Sequence, residues 1–392
     1  MERIENNLKY IINKEVLFCY LLDVYLLFSI LGISMYAYIL YGVPQKVMAI
    51  IVICSMALLE IKDCYNQIRG KDFAVLFVSL FLFCVSYMRN PVEISIGYLM
   101  IYFARNYKFR TITKHAYYVS MISLVFIVLS SQYGIIEDII YEGYRHAVGF
   151  RYVLYGPSLF LNAVMMKVYL KKDKLNWSTI LLYYVINTWF WLECNTNLSC
   201  GLTFLLITYI VYYKIYLNKL KYNNNLWFCR FIFLICIVLT CMILYLYSQN
   251  VSGWIAIDRW LSGRLQLSIM ALMEYPPSLF GNSVEWVGNG VDIFGNVYEG
   301  DYYYVDNAYI NYFIECGILS SLIIWGIYSL VIFKCTKNRE NILVVCLTLL
   351  AIYFLFDNLK LKLVYNIFIL LAPVAFSFNN SITYKNNKER NE

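Results

Sequence analysis

Apolar runs of helical length recur from one end of this chain to the other, and no other feature limits its fold so strongly. Of 392 residues, 61% are hydrophobic and only 15% are charged. A soluble domain cannot bury that much apolar surface and still present a wetted shell. The expectation is an all-α polytopic membrane protein. Twelve transmembrane spans are predicted, over 16–41, 47–61, 73–88, 92–104, 116–133, 152–170, 177–192, 198–213, 229–247, 305–333, 341–356 and 363–379. The first run is too long for the apolar core of a signal peptide and lacks a small-x-small cleavage site, so it reads as a retained span.

The basic residues give the orientation. Of the 32 Lys and Arg residues, 24 fall on the side that holds both termini and 8 on the other. That bias places both termini in the cytoplasm. The net charge of +7 is thereby a topology signal, and no nucleic-acid partner is implied. The 12 cysteines are scattered and form no CxxC or Cys/His spacing. Neither a disulfide framework nor a zinc site is expected, and no metal or cofactor. The chain divides into spans 1–9 (residues 1–247), one large external loop (248–304), and spans 10–12 with a cytoplasmic tail (305–392).

The outward side carries the distinctive chemistry. Its two longest loops, 134–151 and 248–304, contain Arg145, Arg151, Arg259 and Arg264, whereas the cytoplasmic loops hold mostly Lys. Topology needs only charge. A planar guanidinium fork suits phosphate or carboxylate, although basic residues also anchor interfacial helices to lipid headgroups. In the large loop, Leu261, Leu265, Ile269 and Leu272 recur at helical spacing. They predict an amphipathic helix lying on or dipping into the outer interface, with Trp254 and Trp260 as anchors. Ser262 is its expected N-cap. Free amides and Arg264 in the first turn would make an anion site there. Pro276 and Pro277 end this helix.

The tenth span begins "VDNAYINYFIECG". Asn307, Asn311 and Glu315 form one polar stripe at i, i+4, i+8, and Asp306 and Tyr309 share its edge. A stripe of this kind is expensive against lipid, so it should face the protein interior or a wet cavity. Asp306 is both an expected helix cap and a candidate base.

Three segments carry a family resemblance. "RHAVGFRYVLYGPS" (145–158) resembles the Arg-x-x-x-Gly-Phe segment of bacterial Wzy-type polymerases of capsular polysaccharide and O-antigen. Where that motif often continues into His-Pro-Asn, this chain has Leu154 to Ser158. "LSGRLQLSIMALMEYPPSLFG" (261–281) is similar to their Ser-Gly-Arg helix with its Leu-Phe-Gly turn. "VDNAYINYFIECGIL" (305–319) resembles their Asp-Asn-x-Tyr helix. The resemblance implies a GT-C-like glycosyltransferase of the bacterial plasma membrane. Its substrates would be lipid-linked oligosaccharide repeat units on undecaprenyl pyrophosphate, joined by metal-independent, inverting transfer. A flippase and a chain-length regulator would be partners. On this reading Asp306, Arg145 and Arg264 are catalytic. Arg151, Arg259, Asn307, Tyr309 and His146 contact substrate, and Trp286 is a stacking surface. An O-antigen ligase, for which His-Asn is expected at 306–307, and a lipid-linked sugar flippase are the alternatives.

Overall fold

The computed structural model describes residues 14–41, 45–61, 70–89, 92–217, 226–249, 251–292 and 301–376. The expected residues 377–379 of the last span, and 250 and 293–300 of the large loop, lie outside them, as does the side chain of Trp260. The described chain is mostly helical. Its main helices are α1 (Lys14–Gly32), α2 (Gln45–Ile61), α3 (Gly70–Arg89), α4 (Val92–Ala104), α5 (Phe109–Gln132), α6 (Tyr155–Lys171) and α7 (Trp177–Cys194). These are followed by α8 (Asn197–Tyr212), α9 (Ile232–Ser248), α10 (Ser252–Trp260), α11 (Arg264–Glu274), α12 (Ala308–Lys337) and α13 (Asn341–Tyr353). Among the described residues, six helical stretches are long and apolar enough to cross a membrane: 15–32, 72–89, 109–132, 197–216, 227–248 and 308–337.

The remaining predicted spans fall on shorter or more polar helices, and two of these are interior to the protein. In α4 and α6 nearly every described side chain is buried, on all faces. A helix apolar all round is an interior helix, screened by its neighbours. In α9, by contrast, Leu234, Ile235, Val238 and Met242 are exposed, as expected of a lipid-facing element. The segment predicted as the twelfth span forms a 3-10 helix over Ile367–Phe376, with Pro373 inside it. Proline lacks the amide that an α-helical ladder needs.

α12 is the central element, packed against α3, α9, α13 and the 3-10 helix. It is broken at Gly317, where φ is 79° and ψ is 179°. A break at membrane depth leaves amides and carbonyls that only other protein can satisfy. The Leu279-Phe280-Gly281 turn of the large loop does so. Ile318 N donates to Ser278 O at 3.0 Å, Leu319 N to Leu279 O at 3.2 Å, and Asn282 N to Ile314 O at 2.9 Å. Gly281 also has a positive φ, of 81°. A β-carbon on Gly317 would overlap the Gly281 amide, and one on Gly281 would overlap the Glu315 carbonyl. Two glycines are therefore required where the two backbones cross.

The large loop departs from its expected form in two ways. The continuous amphipathic helix is two helices, α10 and α11, separated at Ser262 and Gly263, where φ is 57° and 78°. Its apolar stripe also meets protein. Leu265, Ile269 and Leu272 pack against a small second core of Leu244, Ala271, Val284, Val305, Ile310 and Ile314. That core clamps α11 onto the head of α12.

Candidate functional site

Positioning of Arg264 begins with Asp258. Its carboxylate, 4% exposed, accepts the Leu265 amide at 2.8 Å, and its carbonyl accepts the Gly263 amide at 2.9 Å. Asp258, not Ser262, thus satisfies the start of α11; the Ser262 side chain makes no cap. Arg264 emerges from the first turn. Its Nε lies 2.8 Å from Asp306 Oδ2, with the two side chains 46% and 17% exposed. Tyr302 donates its hydroxyl to the other Asp306 oxygen at 3.3 Å.

Asp306 is not the cap of α12. Asn307 is: its Oδ1 accepts the amides of Tyr309 at 3.0 Å and Ile310 at 3.2 Å. Its Nδ2 donates to Leu355 O at 2.9 Å. The Asp306 carboxylate is thereby left to face Arg264 and Tyr302. Burial pushes it above the ordinary carboxylate range, while the Arg264 guanidinium and the Tyr302 hydroxyl pull it back.

The polar stripe of α12 faces the protein interior. Asn307 caps the helix. Asn311 is fully buried, and neither of its amide atoms has a hydrogen-bond partner. Glu315 accepts from the indole N–H of Trp286. Trp286 in turn packs edge-on to Tyr304, centroids 5.6 Å apart. Tyr309 belongs to the frame: it is 3% exposed, its hydroxyl donates to Ala351 O at 3.0 Å, and its ring lies 4.6 Å from Trp325.

The second arginine pair arrives on a hairpin, β1 (Ile140–Tyr141) and β2 (Arg145–His146). Arg145 and His146 are consecutive in a strand, so their side chains point to opposite faces. Arg145 Nε donates to Cys194 O at 3.3 Å, and its Nη1 lies 3.3 Å from Glu142. Its charge acts on the Tyr152 hydroxyl, as do those of Asp306 and Asp357. His146 turns away, with Nδ1 2.7 Å from Asp138 Oδ2; the other Asp138 oxygen accepts the Val148 amide at 2.6 Å. His146 is thus a strut of the hairpin. The loop is docked on the end of α1: Met35 N donates to Gly149 O at 3.0 Å and Arg151 N to Ile33 O at 3.1 Å. Arg151 Nη1 reaches Val291 O in the large loop at 3.4 Å. Arg259 is exposed on α10 and makes no ion pair among the described residues.

Arg264 and Asp306 are therefore in direct contact. Arg145 makes no hydrogen bond or ion pair with either among the described residues, and shares with Asp306 only its influence on the Tyr152 hydroxyl. Arg151 bridges two loops, and Arg259 stands apart. Sequence reasoning missed Tyr302, Tyr152, Lys360 and Asp357. Asp357 carried a signal: Asp357-Asn358 directly follows the predicted span 341–356, and Asp306-Asn307 stands at the start of the predicted span 305–333. Asp357 is 7% exposed and Lys360 is fully buried. Lys360 Nζ donates to Ser158 O at 3.2 Å and Tyr365 O at 3.1 Å. Burial, reinforced by the nearby Asp306 charge, pushes the Asp357 carboxyl up to about 7. Burial also pulls the Lys360 amine down to about 7, against the Asp357 charge.

The chain matches no protein-family model, no curated protein and no solved structure.

Proposed function

We propose that this protein polymerises lipid-linked oligosaccharide repeat units, by glycosyl transfer from undecaprenyl pyrophosphate at the outer face of a bacterial plasma membrane. The reading takes twelve spans with both termini cytoplasmic, on the strength of the charge bias between alternate loops. The single observation that carries it is the ion pair between Arg264 and Asp306, 2.8 Å long. It joins two of the three segments that resemble Wzy-type polymerases. The third segment supports the reading more weakly, through the charges of Arg145 and Asp306 that both act on the Tyr152 hydroxyl.

The chemistry asks for this arrangement. As the glycosidic bond to pyrophosphate breaks, negative charge grows on the leaving oxygen. A preorganised guanidinium there stabilises the transition state more than the ground state. Arg264 is held through Nε, and its two Nη groups make no hydrogen bond among the described residues. Those donors are available to a phosphate. Arg145 is held by one backbone carbonyl and by Glu142, which is 60% exposed. An exposed partner of that kind is readily exchanged for a ligand. The acceptor hydroxyl must also lose a proton, and the carboxylates of this centre are the groups able to take it. Trp286 clusters with Tyr303 and Tyr304, ring centroids 5.7 and 5.6 Å away, in the loop that leads into α12, and aromatic surfaces of this kind suit sugar rings.

One observation favours a second reading. Asn311 and Glu315 place polar groups inside a membrane-length helix, as a translocation path for a lipid-linked sugar would. A defined lipid-linked repeat unit given to the purified protein separates the two. A ladder of products supports polymerisation. Movement of the lipid across reconstituted vesicles without elongation supports transport.

A further inference from the structure

Two Asp-Asn pairs meet at the centre of this site. Asp306-Asn307 leads into α12, and Asp357-Asn358 follows the turn after α13. Three hydrogen bonds lace them together: Ala308 N to Phe354 O at 2.8 Å, Asn307 Nδ2 to Leu355 O at 2.9 Å, and Asn358 Nδ2 to the Tyr304 hydroxyl at 2.6 Å. The first joins the two backbones and the second ties the Asn307 side chain to the turn after α13, so the two Asp-Asn segments are held against each other. Their surroundings differ. Asp306 is committed to a guanidinium. Asp357 uses Oδ1 to accept the Leu359 amide at 2.7 Å, and it makes no ion pair among the described residues.

We propose that Asp357 is a second catalytic carboxylate of this centre, and that it takes the proton from the acceptor hydroxyl while Asp306 holds Arg264 on the leaving pyrophosphate. The inference rests on the polymerase reading above. In the step, the acceptor O–H bond breaks and its proton passes to the Asp357 carboxylate. The oxygen forms the new bond to the anomeric carbon. The carbon–oxygen bond to pyrophosphate breaks, and its electron pair leaves on the pyrophosphate beside Arg264. The division of labour follows from electrostatics. A carboxylate bound to a guanidinium is a weak base, and an unpaired one of raised proton affinity is a good one near neutral pH. Two neighbouring carboxylates, one bonded to a guanidinium and one not, are suited to separate roles. The groups that set the ionisation of Asp357 are Asp306, Arg264, Lys360, Tyr353, Tyr304 and Tyr152.

The test is the initial polymerisation rate of the purified full-length protein on a defined lipid-linked repeat unit, followed from about pH 5.5 to about pH 8.5. Asn at 357 keeps an oxygen for the Leu359 amide, so the turn survives in Asp357→Asn. That variant should bind the donor within about twofold of wild type, lose roughly 100-fold in rate, and lose the rise in rate with pH. Asp306→Asn should keep that rise and bind the donor more weakly. Asp357→Glu, with its carboxylate displaced, should recover part of the rate with a shifted profile. Wild-type rate and profile in Asp357→Asn overturn the inference and leave the polymerase reading standing. If Asp357→Asn fails to fold, an unchanged profile in Asp357→Glu overturns it instead. A wild-type protein that makes no ladder overturns the polymerase reading, and this inference with it.

Discussion

The hairpin around Arg145 and the head of α12 both set acids beside bases, but they do so over different distances along the chain. In the hairpin the pairs are local. Arg145 meets Glu142 three residues away, and His146 meets Asp138 across a short turn. Such contacts hold a loop in shape and need no other part of the molecule. At the head of α12, Arg264 meets Asp306 only because a second hydrophobic core clamps α11 there. A charge pair that depends on tertiary packing, with buried carboxylates around it, is built at the expense of local stability, and such places are where function concentrates. On this contrast the head of α12 is the better candidate for the proposed reaction centre, and the hairpin holds Arg145 by mainly local contacts.

Substitutions can break or sharpen the contrast. Arg264→Ala should have the largest effect on activity, a loss in polymerisation rate on the order of 100- to 1000-fold, because it removes charge stabilisation at the leaving group. Normal expression with normal product length would place the centre elsewhere. Next comes the crossing beneath the site. Gly317→Ala or Gly281→Ala forces a β-carbon into backbone at a positive φ, and should cost about 3 kcal/mol or more in stability. Thermal denaturation in detergent checks it, and an unchanged midpoint would mean that the turn does not dock on the broken helix. Asn307→Ala should cost about 1 kcal/mol as a lost cap, whereas Asp306→Ser should leave stability within about 0.5 kcal/mol. Equal losses would return the capping role to Asp306. His146→Ala should be the mildest, with activity within a few-fold of wild type.

The pH dependence of stability gives an independent handle on Asp357. Its carboxyl is pushed from the ordinary 3.8 up to about 7 in the folded protein. Ionisation is thus harder folded than unfolded, and this group's contribution to stability falls as pH rises between those two values. Asp357→Asn should match wild type near pH 4 and become more stable than wild type near pH 8. The same melting temperature difference at both pH values would show that the side chain is not buried as a carboxyl.

Much of this was legible in the sequence. Helical apolar runs and an acid-amide stripe are read directly from spacing, and the stripe does turn inward. Asp258 was not legible as the support of α11, because it acts from seven residues upstream across a chain reversal at Ser262 and Gly263. Nor was the choice between Asp306 and Asn307 as cap. Both residue types cap well, and the register is decided by Leu355 accepting the Asn307 amide from a distant turn. The helix break at Gly317 left a glycine in the sequence but no sign of its partner. Only the fold brings Gly281 against it. The place of Asp357 in the site is not legible either, because an Asp-Asn pair after a span has the composition of an ordinary loop and only the fold brings it against Asn307 and Tyr304.

The central claim is that the Arg264–Asp306 pair handles the leaving pyrophosphate. The most direct test compares single-turnover glycosyl transfer at saturating donor between wild-type protein and Arg264→Gln, which keeps much of the stem and removes the charge. Donor should still bind, and the transfer step should slow by roughly 100-fold or more. A transfer rate equal to wild type, with only donor affinity reduced, would contradict that claim.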